Sequence, residues 1–299
     1  MTLIQTVFTK DRVIQVSDRR LSNGGKLVDD YYTKLVLWND RYTVGFTGQS
    51  RIDRRQKLKT ARWIADTLSG HGLFEDGVSA LRAEAEKRTK KLPKNWDLRL
   101  AIVLAGFDDR DGPVAACVTN MDLQTNRSAE VTRFAIDELT IPAGHHACVH
   151  SIGATMNAEQ KMVLEKYVPK ALGKDDGLNP AVRLMVDLQR RVSKTDKKKS
   201  VGMDALCVHI PRGAHKYYGH GLSVMSNLGG PSLPTAMSSF GYFDRSGWQW
   251  KQEAPYRAGM GQVSTHSAWS DPDHPDNQTI TFTISRPDVK TMPPGHATH

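Results

Sequence analysis

The sequence predicts an α+β fold in which two antiparallel sheets are stacked between two pairs of helices, a four-layer αββα sandwich. Three observations carry this reading. Four strand-like runs precede any helix within residues 1–46, two pairs of helical periods follow at 51–91 and 157–193, and the run LRLAIVLA at 98–105 is apolar on nearly every residue. A strand without alternation is buried on both faces, as it would be between two layers.

Residues 3–8 and 12–17 (LIQTVF, RVIQVS) are rich in β-formers and joined at Lys10-Asp11, a loop short enough for a hairpin. Residues 35–38 and 41–46 repeat the pattern around Asn39-Asp40. The period changes over 51–69, where Ala61, Ile64, Ala65 and Leu68 share one helical face and Arg and Lys occupy the other. A second helix over about 76–91 takes Asp76 as its cap and Phe74, Val78, Leu81 and Ala85 as its stripe, and Leu92-Pro93 closes it. Strands return at 98–105, 114–119 and near 146–152. Helices resume at about 157–168 and 180–193, the latter with Asn179 as cap, Pro180 at the first helical position, and Ala181, Leu184, Met185, Leu188 and Val192 on one face. Strands at 203–209 and 215–219 complete the order. Past Gly221 the chain becomes rich in Gly, Ser, Pro and Trp, and one strand is read there, TITFTIS at 279–285. The expected organisation is a body of residues 1–220 and a C-terminal extension of irregular or β character over 221–299, with a mobile tail after about 287.

Composition narrows the function classes. The 299 residues suffice for a real core, and 39% of them are hydrophobic. No apolar run approaches the ~20 residues that span a bilayer, and no charged-then-apolar signal region opens the chain, so a cytoplasmic location without membrane contact is expected. Cys117, Cys148 and Cys207 are odd in number, far apart and inside apolar runs, which predicts reduced core thiols. The net charge of +9 is spread over helix faces and the loop carrying Lys194, Lys197, Lys198 and Lys199, with no recognition motif, so it reads as solvated surface rather than a nucleic-acid site. His145, His146 and His150 lack a cysteine at ligand spacing, and neither a metal nor another cofactor is expected.

The chemistry concentrates in residues 1–48. Removal of Met1 would leave Thr2 as the N-terminus, with a hydroxyl and a free α-amine on one residue. That amine has an unperturbed pKa of roughly 7.7–8.0, so a usable fraction can accept the hydroxyl proton at neutral pH. Met1-Thr2 is a pair that a methionine aminopeptidase can process, because threonine is small, and no propeptide would need cleavage.

A leading threonine followed by Asp18 and Arg20 in SDRR, Lys34 in YYTK and Gly48 in GFTG resembles the β subunits of the proteasome family. It is also similar to the simpler bacterial homologue HslV, and all are N-terminal nucleophile hydrolases. With Met1 discounted, the intervals from threonine to aspartate, lysine and glycine equal those of the family, and weaker similarity extends to about residue 220. The resemblance implies the αββα fold, a peptide or amide substrate, a homo-oligomer with a ring as one permitted form, and room for an ATP-dependent unfoldase that nothing in the sequence supports.

In this reading Thr2 Oγ1 attacks a carbonyl carbon while the α-amine takes its proton. Lys34 stabilises the alkoxide, Asp18 pairs with Lys34, Arg20 supports that network, and the Gly48 N–H faces the oxyanion. An acyl-enzyme on Thr2 is then hydrolysed by water. The sequence departs from the family at two places. A glycine–serine–glycine appears as Gly153-Ala154-Thr155, leaving Thr155 as the substitute hydroxyl. An aspartate before serine–glycine–glycine appears as Asp196…Ser200-Val201-Gly202, one residue longer. Thr155 and Ser200 are the expected substrate-side residues. The same departures fit a non-catalytic scaffold, and a non-peptide amidase of the same fold is a further alternative.

Overall fold

The computed structural model describes residues 2–23, 26–122, 132–174, 177–213, 239–245, 247, 250–252 and 256–258. The chain is a mixed α+β protein. Its strands and helices are β1 (Leu3–Thr9), β2 (Arg12–Asp18), β3 (Leu21–Asn23), β4 (Lys26–Asp29), β5 (Leu35–Trp38), β6 (Tyr42–Gly48), α1 (Thr60–Leu68), α2 (Phe74–Thr89), β7 (Leu100–Phe107), β8 (Pro113–Thr119), β9 (Ala135–Glu138) and β10 (Ala147–Gly153). They continue with α3 (Ala158–Met162), a π-helical turn (Val163–Tyr167), α4 (Val168–Leu172), α5 (Leu178–Thr195), β11 (Ala205–Pro211), β12 (Ser239–Phe243), β13 (Trp250–Gln252) and β14 (Tyr256–Ala258). One six-stranded sheet has the order β10-β1-β2-β11-β12-β13 and another the order β14-β5-β6-β7-β8-β9, while β3 and β4 form a separate hairpin.

Side-chain alternation assigns each sheet face to a different core. In β7, buried along its whole length, Leu100, Ile102 and Leu104 pack with Ile64, Leu68 and Leu81 of α1 and α2. The intervening Ala105 and Phe107 meet Phe8, Val13, Leu206 and Val208 from the other sheet. In that sheet, Leu3, Val7, Ala205 and Cys207 face Val182, Met185 and Leu188 of α5. Both sheets therefore bury two faces, which is why LRLAIVLA shows no polar alternation. Gln5, on the α5 side, donates from Nε2 to Met185 O at 3.0 Å.

Several boundaries differ from the sequence expectation. The helix expected over 51–69 covers only Thr60–Leu68. Residues before it form a loop in which Arg51 bridges Lys59, Asp53 Oδ1 accepts from Leu58 N at 2.7 Å, and Gln56 has φ 52°. The apolar stripe begins only at Ala61, so the basic stretch ahead of it has no face to bury as a helix. Asp76 and Asn179 do not cap their helices: α2 starts at Phe74 behind Leu73, and α5 at Leu178 behind Gly177, neither with a side-chain cap. Burial of Phe74 and Leu178 draws each first turn forward, and Asp76 instead sits where the helix dipole favours an anion. The expected helix 157–168 continues through the π-helical turn into α4, opened by reciprocal hydrogen bonds between Asn157 and Gln160. Strands β3, β4 and β9, short and partly exposed, were not anticipated. The expected strands at 215–219 and 279–285, and the tail after 287, lie outside the described residues.

Beyond residue 221, where one strand was read, three others are described. β12 pairs with β11 (Ala205 opposite Phe243), β13 with β12, and β14 lies parallel to β5. Edge pairing uses main-chain groups that any composition supplies, so Gly- and Ser-rich sequence did not announce it.

Candidate active site

The start of β1 is held between three partners. Antiparallel pairing places Leu3 opposite Gly153 of β10, and Ile4 opposite Ser17 of β2. The Ala154 N–H donates to Thr2 O at 2.7 Å, and the Leu3 N–H donates to Asp18 Oδ1 at 3.2 Å. Thr2 is only 6% exposed. Gly153 has φ +100°, and a Cβ there would fall 1.8 Å from Thr2 O and 3.0 Å from Thr47 Oγ1, so only glycine lets the Thr2 main chain come this close.

Asp18, at the end of β2 and fully buried, organises the site. Its Oδ1 takes Leu3 N–H, and its Oδ2 accepts from Lys34 Nζ at 2.8 Å, Arg20 N at 3.0 Å and Gly202 N at 3.0 Å. A buried carboxylate is tolerable only with this degree of satisfaction. Lys34, 3% exposed at the entry to β5, also donates from Nζ to Arg20 O, leaving its third N–H without a partner among the described residues. Burial pushes the Lys34 ammonium below its ordinary 10.5, and the Asp18 charge opposes that shift. The structure thus brings the Thr2–Leu3 peptide, Asp18 and Lys34 into one hydrogen-bonded cluster, in which Asp18 links that peptide to the ammonium.

Arg20 joins this cluster differently from the expectation. Its main-chain N–H and C=O serve Asp18 and Lys34, while its guanidinium turns to Asp30 Oδ1 at 2.9 Å. Asp30 Oδ2 in turn meets Arg245, whose guanidinium also holds Asp204 Oδ2 at 2.7 Å. The Arg20 hydrogen bond, opposed by burial and helped by Arg245, holds the Asp30 carboxyl below its usual range. This second network ties the segment after β12 to the loop before β11. Sequence reading missed Asp30, Asp204 and Arg245, because an ion-pair network that joins separated parts of the chain leaves no local signal.

The two substrate-side candidates fare differently. Ser200 is buried; its N–H and Oγ both donate to Asp196 Oδ2, at 2.6 and 2.7 Å, and Val201 N donates there at 3.0 Å. The longer 196–202 loop is closed on Asp196, and Gly202 still reaches Asp18. Burial would raise the Asp196 carboxyl, but Ser200 and the loop N–H groups outweigh it and hold it below the usual range. Thr155 is exposed and makes no hydrogen bond among the described residues; Ala154 meets Thr2, through its backbone.

Gly48, exposed at the end of β6, opens onto a cleft of about 1140 Å³ lined also by Thr47, Trp96, Arg99 and Ser200. Its φ is +103°, and a Cβ would come 2.0 Å from Arg99 O. Gly48→Ala is therefore expected to cost at least ~1–2 kcal/mol, read as a lowered urea midpoint. A variant as stable as the parent would show that this turn relaxes freely.

Other reactive groups stand apart. Cys117, Cys148 and Cys207 are free and buried, and desolvation raises all three thiols, Cys117 to about 12, which disfavours the thiolate. Among the described residues, no group of three or more His, Cys, Asp or Glu could hold a metal ion, and no helix is long and apolar enough to cross a membrane.

No family model matches the chain, and no curated protein does. Among solved structures it is similar to Anbu, an ancestral beta-subunit, from Yersinia bercovieri, at a TM-score of 0.50 and 12% identity, covering 71% of this chain and 81% of that one. At such identity the likeness concerns the fold alone. It names no family for this chain. The expected membership of the proteasome β-subunit and HslV-like family is corrected accordingly: no family model matches, and a fold likeness at 12% identity does not show a family.

Proposed function

We propose that the chain is a threonine-nucleophile hydrolase of amide bonds, acting on peptides through an acyl-enzyme on Thr2 once Met1 is removed. The observation that carries this is the Asp18 carboxylate, which joins the Thr2–Leu3 peptide to the buried Lys34 ammonium. In the mechanism, the freed α-amine accepts the Thr2 hydroxyl proton and Oγ1 attacks the carbonyl carbon. The ammonium of Lys34 stabilises the alkoxide and, as a cation, keeps the amine neutral. The Gly48 N–H supports the oxyanion; the amine leaving group takes the proton, and water then cleaves the ester. The facing sheets and their flanking helices would form the αββα sandwich of N-terminal nucleophile hydrolases, with residues 1–220 as the catalytic body, 221–299 as an addition to it, and several copies assembling as an oligomer.

The test is treatment of the purified protein with a peptide epoxyketone, followed by mass spectrometry of the N-terminal peptide. An adduct on Thr2, with Met1 absent, is expected. No adduct, with Met1 retained, would overturn the reading. Ala154 beside Thr2 and the outward Thr155 favour a second reading, a non-catalytic scaffold of the same fold. That reading expects Met1 removal, if any, without an adduct.

A further inference from the structure

From the cleft beside Gly48 we infer that the substrate is an acidic peptide, with carboxylate side chains close to the scissile bond. This inference rests on the hydrolase reading above. The cleft wall reaches the site at three points: Thr47 lies against the Gly153–Thr2 contact, Gly48 ends β6, and Ser200 belongs to the loop whose Gly202 bonds Asp18. Its charged lining is cationic. Lys26, Arg51, Lys197, Lys198 and Lys199 have no carboxylate partner among the described residues. Among the described residues Asp97 is the single carboxylate in the lining, and it is already engaged by Arg99, with Nε donating to Oδ1 at 2.7 Å.

The basic side chains come from three separated parts of the chain: the β3–β4 hairpin, the loop after β6, and the loop closed on Asp196. They converge on one concave surface, where low-dielectric walls focus the field and raise the local concentration of anions. The exposed loop lysines are solvated individually, as the sequence indicated. Placed with Arg51 and Lys26 in the lining of one cleft, they acquire a common direction. An extended peptide entering this cleft would set its carboxylates against them while its backbone runs toward Gly48 and Thr2. A lysine or arginine side chain in the same place would meet uncompensated like charge, so the cleft also rejects basic segments.

Binding is measured on Thr2→Ala protein, so that no turnover is required and failure of the cleft is separate from failure of the nucleophile. Three fluorescein-labelled peptides of equal length, rich in Glu, Gln or Lys, are compared by anisotropy, together with a labelled uridine oligonucleotide. The Glu peptide is expected to bind at least about tenfold more tightly than the Gln peptide, with affinity falling as salt is added. The preference is expected to shrink several-fold in a Lys197→Ser/Lys198→Ser variant, whose thermal unfolding checks that it is folded. Equal binding of Glu and Gln peptides would overturn the inference. So would an oligonucleotide that binds as tightly as the Glu peptide, since the cleft would then be a general polyanion surface. If the epoxyketone leaves no adduct on Thr2 but the Glu preference holds, the hydrolase reading fails and the acidic-peptide surface stands.

Discussion

Asp18→Ala is expected to destabilise the protein by about 3–5 kcal/mol, the usual result of stranding one member of a buried ion pair. The substitution leaves Lys34 charged and 3% exposed without its counterion, and it orphans the N–H groups of Leu3, Arg20 and Gly202. Orphaned buried donors cost more than the made bonds contribute, because they lose water and gain nothing. Adding Lys34→Met should recover much of the loss, since an apolar residue of similar length removes the unpaired charge. Urea unfolding of the two single variants and the double variant measures both numbers. A shift below about 1 kcal/mol for Asp18→Ala, typical of an exposed pair, would show that the carboxylate is dispensable to the fold.

Activity and stability should respond to alkaline pH in opposite directions, and Lys34 is the reason. Burial lowers its pKa from 10.5, with Asp18 opposing. Between the folded-state pKa and 10.5 the unfolded chain binds more protons than the folded one, so stability contributed through this group rises with pH across that window. The ammonium proposed to support the alkoxide is lost over the same range. The rate of Thr2 acylation should therefore show a descending limb below pH 10.5, while the stability of the parent relative to Lys34→Met climbs. Lys34→Met itself should slow acylation roughly 10²-fold and show no such limb. A parent and variant with parallel pH profiles would remove Lys34 from the chemistry and leave it a structural role.

Much of the site was legible because its chemistry is local. Asp18 and Lys34 lie with Thr2 in one stretch of forty-eight residues built from three strand pairs, so a reading of that stretch could name a carboxylate and an ammonium that the fold joins at the start of β1. The roles of their neighbours were less legible. Arg20 was expected to act through its charge and acts through its backbone, because the guanidinium found Asp30 ten residues on. Thr155 was expected to substitute for a serine and faces solvent, because the turn after Gly153 presents the Ala154 N–H to Thr2.

The sequence by itself determined the mixed α+β class, the doubly buried strand at the centre of one sheet, and the reduced state of three thiols. Each of these follows from apolar periodicity or counting, which act over neighbouring residues. Only the tertiary structure decided that Gly202 bonds a carboxylate 184 residues away, that strands past residue 239 extend both sheets, and that basic residues from three separated segments share one cleft. Hydrogen bonding and charge act across space without regard to order along the chain, so such contacts leave no period in the sequence to read.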